Sequence, residues 1–166
     1  MNKRDIVVGG IILVLLAGVV FWRQRIASRG EETKVPETLS VEDAIEDKFN
    51  LQIPEDVDKA ELKDTSGGTA SAIATRKFEN NKFELSILAD MPDPSTGKFY
   101  QAWLTKGERD SEEFSQVSLG RLILAKGGWM LNYSGDKDYS DHAKVIVSSE
   151  GVSDATPEQI ILEGSF

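Results

Sequence analysis

Three aspartates crowd one short stretch, Asp136, Asp138 and Asp141 in "SGDKDYSDH". Hard oxygen ligands gathered in this way are the ingredients of a calcium loop. The EF-hand pattern of acids, central glycine and closing glutamate is not met, and Lys137 stands among the acids. The same letters suit an ordinary hairpin turn, so calcium is a candidate set against a plain turn. His142, the single histidine, follows directly. With no Ser or Cys nucleophile in a recognisable setting, it is expected to be a solvated strand-edge residue and not a general base. Glu150 and Glu163, near the ends of the last two strands, are the carboxylates that hydrolysis by a facing acid pair would use. Trp103, Trp129 and Tyr133 are the aromatics that would line a binding surface or fill a core, and the sequence leaves both open.

Other chemistry is excluded by composition. The 166 residues contain no cysteine, which removes disulfides, cysteine-ligated zinc, iron–sulfur clusters and thiol catalysis. "SGG" and "KGG" lack the strand–glycine–helix context that aims amides at a phosphate, so no cofactor is expected. Asn132-Tyr133-Ser134 has the form of a glycosylation sequon but falls inside a predicted strand. Formal charge is −9; from Pro54 onward 20 acidic and 12 basic side chains account for −8 of it. A nucleic-acid or anionic-lipid surface needs clustered charge of the opposite sign, so overall charge speaks against both.

Ile6 to Trp22, "IVVGGIILVLLAGVVFW", is uncharged. As a helix it would extend roughly 26 Å, the short end of what spans a bilayer. Trp22, Arg23 and Arg25 fit an interfacial anchor. The bulky, basic residues after the run do not suit signal cleavage, so an uncleaved single-pass signal anchor is expected. Lys3 and Arg4 on one side nearly balance Arg23, Arg25 and Arg29 on the other, and charge alone does not fix orientation.

The elements that must position the candidate residues follow. Residues 23–39 read as a polar linker. Residues 40–53 hold a short amphipathic helix with Ser40 as N-cap, Val41, Ala44, Ile45, Lys48 and Phe49 on one face, and a stop at Pro54. This helix either docks on the following domain or binds a partner. From Asp58 the period changes to that of strands: 59–65, 70–79, 82–89, 98–106, 115–125, 128–134, 143–149 and 159–165, with Asn80-Asn81 as a hairpin turn. About eight short strands predict an all-β domain over 54–166, an antiparallel β-sandwich with a β-barrel as the alternative. In 98–106, Tyr100, Ala102 and Leu104 point one way and Phe99, Gln101 and Trp103 the other. Both faces are largely apolar, as in a central strand, whereas an exposed aromatic row for glycan or peptide is the sharper alternative.

"LADMPDPSTGKFYQAWLTKG", "SLGRLILAKGGWMLNYSG" and "KVIVSSEGVSDATPEQIILEGSF" together resemble the extracytoplasmic C-terminal domain of the anti-sigma-K factor family. Shared features are a Pro-containing turn and Gly before a Tyr-x-x-Trp-Leu strand, then a Gly-bearing strand and hairpin, then a closing pair ending Leu-x-Gly-x-Phe or similar. The resemblance spans residues 58–166 and extends to small bacterial single-pass proteins carrying this domain alone. It implies a β-sandwich outside the membrane, with residues 1–5 as a cytoplasmic tail. Five residues ahead of the apolar run cannot form a sigma-binding domain, so sigma sequestration is not expected to transfer.

The resulting expectation is a cell-membrane protein with its C-terminal domain extracytoplasmic. It would be a binding or interaction module for a protein or envelope partner, accessory to envelope signalling, and not an enzyme. An envelope hydrolase using acidic residues and a structural scaffold of a membrane assembly are the alternatives. No nucleic-acid partner is expected.

Overall fold

The computed structural model describes residues 40–166. The predicted membrane span 6–22, the tail before it and the linker 23–39 lie outside the described residues. Among the described residues, no helix is long and apolar enough to cross a membrane.

One helix, α1 (Val41–Phe49), precedes nine strands: β1 (Asp58–Asp64), β2 (Ser71–Glu79), β3 (Lys82–Asp90), β4 (Phe99–Lys106), β5 (Ser115–Arg121), β6 (Ile123–Ala125), β7 (Gly128–Gly135), β8 (Lys144–Glu150) and β9 (Gln159–Ser165). All pairings are antiparallel, and all nine strands join one sheet in the order β5-β4-β8-β9-β1-β2-β3-β7-β6. The all-β expectation holds. The ladders form a single curled sheet, a near-barrel, where two separate sheets were expected.

The expected strand 115–125 shows how the curl is made. Its first part pairs with β4, and its last three residues pair with β7 at the opposite edge of the sheet. Between them only Leu122 intervenes, its amide donating to Tyr100 O at 2.9 Å. A β-bulge opposite Ala102–Trp103 precedes this corner, with Gly120 at φ +111°, a conformation closed to most L side chains. One kinked strand thus serves both edges, which is why the described residues form nine strands and not eight.

Alternation sorts the side chains onto two surfaces. The concave side gathers Leu62, Ala74, Phe83, Leu85, Ile87, Tyr100, Ala102, Leu104, Leu131, Val145, Val147 and Leu162 into one core. At one end this core runs into a ring cluster: Phe83 meets Tyr133 and Tyr139 edge-on, with centroids 6.3 and 5.6 Å apart. On the convex side a second, smaller core joins Ile45, Phe49 and Ile53 to Ile73 of β2 and Leu88 of β3.

The helix forms and docks as its pattern predicts. Ser40 Oγ accepts from the Asp43 amide at 3.1 Å, and Asn50 closes the last turn at φ 49°. Lys59 Nζ meets Glu42 at 2.6 Å, and Lys48 pairs with Asp90. Gly128 is required beneath the helix, because a Cβ there would lie 2.3 Å from Phe49 Cζ and 2.9 Å from Ala89 O. The Asn80-Asn81 hairpin turn is also as predicted, with both residues at positive φ.

Candidate functional site

The predicted aromatic trio does not come together. Trp103 lies on the convex face of β4 and is 1% exposed. Its indole N–H donates to Ser148 Oγ at 2.7 Å, and Ser148 donates onward to Gln101 O at 3.3 Å. The segment 151–158 folds toward the same side: Gln116 Nε2 donates to Ala155 O, and the Glu158 amide donates to the buried Glu150 carboxylate at 3.1 Å. Trp129 and Tyr133 sit on the opposite, concave face against the main core. A surface shared by Trp103, Trp129 and Tyr133 is therefore ruled out by strand alternation, because the first points away from the other two.

The three candidate calcium ligands are also engaged separately. Asp138 Oδ1 accepts from the amide and hydroxyl of Ser140 at 2.8 and 2.6 Å, an ordinary Asx turn that holds its carboxyl below the usual range. Asp141 pairs with Lys106 at 2.7 Å and with His142 Nδ1 at 2.7 Å. The hydrogen bond from Lys106, then that from His142, holds the Asp141 carboxyl down to about 2. Among the described residues no group of three or more acidic or histidine side chains is placed to hold a metal ion.

His142 differs from its expected solvated setting and is 5% exposed. Tyr139 stands edge-on to its ring at 5.4 Å, and Arg76 Nη1 donates to its carbonyl at 2.7 Å. Its Nε2 lies 3.2 Å from Ser115 Oγ, completing a Ser115–His142–Asp141 chain that reading along the sequence did not show. The order is that of a proton relay. With both ring nitrogens engaged, the ring nearly buried and Asp141 shared with Lys106, the chain acts as a polar clamp joining β5 to the 136–143 segment. Glu150 and Glu163 do not face each other. Glu163 lies opposite Ile146, four residues before Glu150 on β8, so the two stand about 13 Å apart along the strand. Glu163 is held by Lys144 at 3.2 Å.

The open site lies on the other half of the convex surface, beside α1. A groove of about 320 Å³ has a floor of Ile73, Leu88 and Met130. One wall is the segment Leu51, Ile53, Pro54 and Val57, and the other carries Thr75, Ser86 and Asn132. The first wall is fixed by three contacts. The Ile53 amide donates to Glu46 Oε1 at 2.6 Å, α1 packs beneath through Phe49, and Lys77 Nζ meets Asp56 Oδ2 at 2.8 Å. That ion pair lowers the Asp56 carboxyl and raises the Lys77 ammonium. Across the groove Ser86 Oγ donates to Asn132 Oδ1 at 2.8 Å.

The volume is at the low end for small-molecule sites, enough for one short apolar anchor with a polar flank. No family model, curated protein or solved structure matches the chain.

Proposed function

We propose that this chain is a single-pass membrane-anchored, extracytoplasmic binding module, held by residues 6–22, that takes an apolar side chain of a protein or envelope partner in the groove beside α1. The groove carries the reading: an apolar floor flanked by polar and charged side chains, on a wall pinned by packing and an ion pair, is the form of a preformed recognition site. The uncharged run Ile6–Trp22 supports the anchor. The resemblance to the extracytoplasmic domain of anti-sigma-K factors supports placement outside the membrane and a role accessory to envelope signalling. The same resemblance favours describing the curled sheet as a sandwich. The ladder between β1 and β9 is only two residue pairs long and divides the sheet into halves of four and five strands around one core.

Two measurements on the full chain test this. Protease added to intact cells is expected to degrade the C-terminal domain, and protection until lysis would contradict the placement. Ser86→Trp, which fills the groove, is expected to return the gently solubilised protein on native gels from a larger assembly to the size of the chain alone. Migration unchanged by Ser86→Trp, with the thermal midpoint retained, would contradict the groove.

A further inference from the structure

We propose that the β6–β7 hairpin tip is a bilayer-contacting element that inserts Ile123 and Leu124 at an anionic lipid surface. The inference rests on the membrane placement proposed above and assigns it a second contact. Ile123 is 65% exposed and Leu124 61% exposed, on successive residues of a three-residue strand. Successive residues point to opposite faces, Ile123 beside Met130 and Leu124 beside Trp129. Both faces of the tip are thus apolar and open. A protein partner that docks on one face leaves the other in water, whereas a deformable medium receives both.

Charge points the same way. Residues 114–135 contain no Asp or Glu, the longest such run among the described residues of a chain with 28 acids. The cations in that run are Arg121 at the base of the hairpin and Lys126 in its turn. Among the described residues neither takes part in an ion pair, and Arg121 lies 3.6 Å over the Phe99 ring, its charge still unmatched. Aliphatic side chains flanked by unpaired cations are the pattern of an interfacial element. The net negative charge of the domain disfavours anionic lipid elsewhere on its surface, and so selects this tip. The other exposed apolar residues lack the combination: Phe78 stands between Lys77 and Glu79, and Val152 is followed closely by Asp154.

The turn gives the tip the stiffness to act as a wedge. Lys126 and Gly127 are both at positive φ, the two-residue turn whose twist matches paired strands. A tether in the same bilayer raises the effective concentration of the tip, so a weak contact suffices.

The chain has no cysteine, so Leu124→Cys carries an environment-sensitive nitrobenzoxadiazole label at one place, and Val152→Cys supplies the control. The full chain is reconstituted into phosphatidylcholine–phosphatidylglycerol vesicles, with and without bromine-labelled acyl chains. Expected are blue-shifted emission and bromine quenching at position 124, neither at 152, and with Lys126→Gln a roughly fivefold lower ratio of inserted to exposed label at 124 in the anionic vesicles. Flotation with the vesicles but an unshifted label at 124 overturns the tip contact while leaving the anchor intact. A blue shift without bromine quenching also overturns it, showing burial against protein. Failure of the chain to float contradicts the anchor itself.

Discussion

The convex surface of this near-barrel is treated in two ways. Over β4 and β8 it is mostly closed, with a hollow of about 110 Å³ beside Thr105 and Ile146. Trp103 is sunk into this half, its indole is hydrogen-bonded to Ser148, and segment 151–158 is tied across through Gln116 and Glu150. Over β2, β3 and β7 it is half-covered: α1 seals Ile73 and Leu88 on one side and leaves the groove on the other. Closing a face needs large side chains with every polar atom matched. Leaving a groove needs a cover too short to finish, and α1 has nine residues. The half that buries Trp103 is therefore the structural one, and the half beside α1 is the one proposed to meet a partner.

Trp103→Ala is expected to have the largest effect. It removes a fully buried indole and the N–H that Ser148 Oγ accepts, and losses of about 3–5 kcal/mol are typical of such truncations. Urea unfolding measures it, and the comparison breaks if the loss is under about 1 kcal/mol, since that is the cost of a surface site. Gly128→Ala comes next. Its Cβ collides with Phe49 and Ala89 O, at a cost of about 1–3 kcal/mol. Amide exchange is expected to quicken in 41–49 ahead of β4, separating the two halves of the surface. Ser40→Ala removes the N-cap for about 1 kcal/mol and is expected to act on the same helix by the same measurement.

The smallest expected effect concerns pH. Asp141 is held from an ordinary 3.8 down to about 2 by Lys106 and His142. A folded-state value below the unfolded one means the contribution is present above 3.8 and is lost as pH falls toward about 2. Asp141→Asn is expected to flatten the acid limb of the stability curve in that window, with a small loss of stability at neutral pH that disappears as pH falls toward about 2. The carboxylate is exposed, so solvent screening keeps the change small.

Most strands were legible because alternation and turn residues are local signals. The 70–79 and 82–89 runs, hinged at Asn80-Asn81, appear as β2 and β3 within a residue at each end. The N-cap at Ser40 and the Ile45–Phe49 face were legible for the same reason. The kink at Leu122 was not, because it depends on β4 and β7 being brought within reach of one strand by pairing far along the chain. Burial of His142 was hidden likewise, since Arg76, Ser115 and Tyr139 reach it from three places in the sequence. Of the groove, α1 and the alternation of β2 were readable, but Ile73 and Leu88 looked like any other strand residues. Their meeting with Leu51 and Pro54 is tertiary.

The central claim is that the groove face is the one partners use. Photo-crosslinking the full chain in native membranes tests it directly, with p-benzoylphenylalanine placed at Glu84 on the exposed rim of the groove or at Gln116 on the other half of the convex surface. The account predicts a discrete adduct from position 84 that disappears with Ser86→Trp, and none from position 116. An adduct from 116 and none from 84 would contradict it.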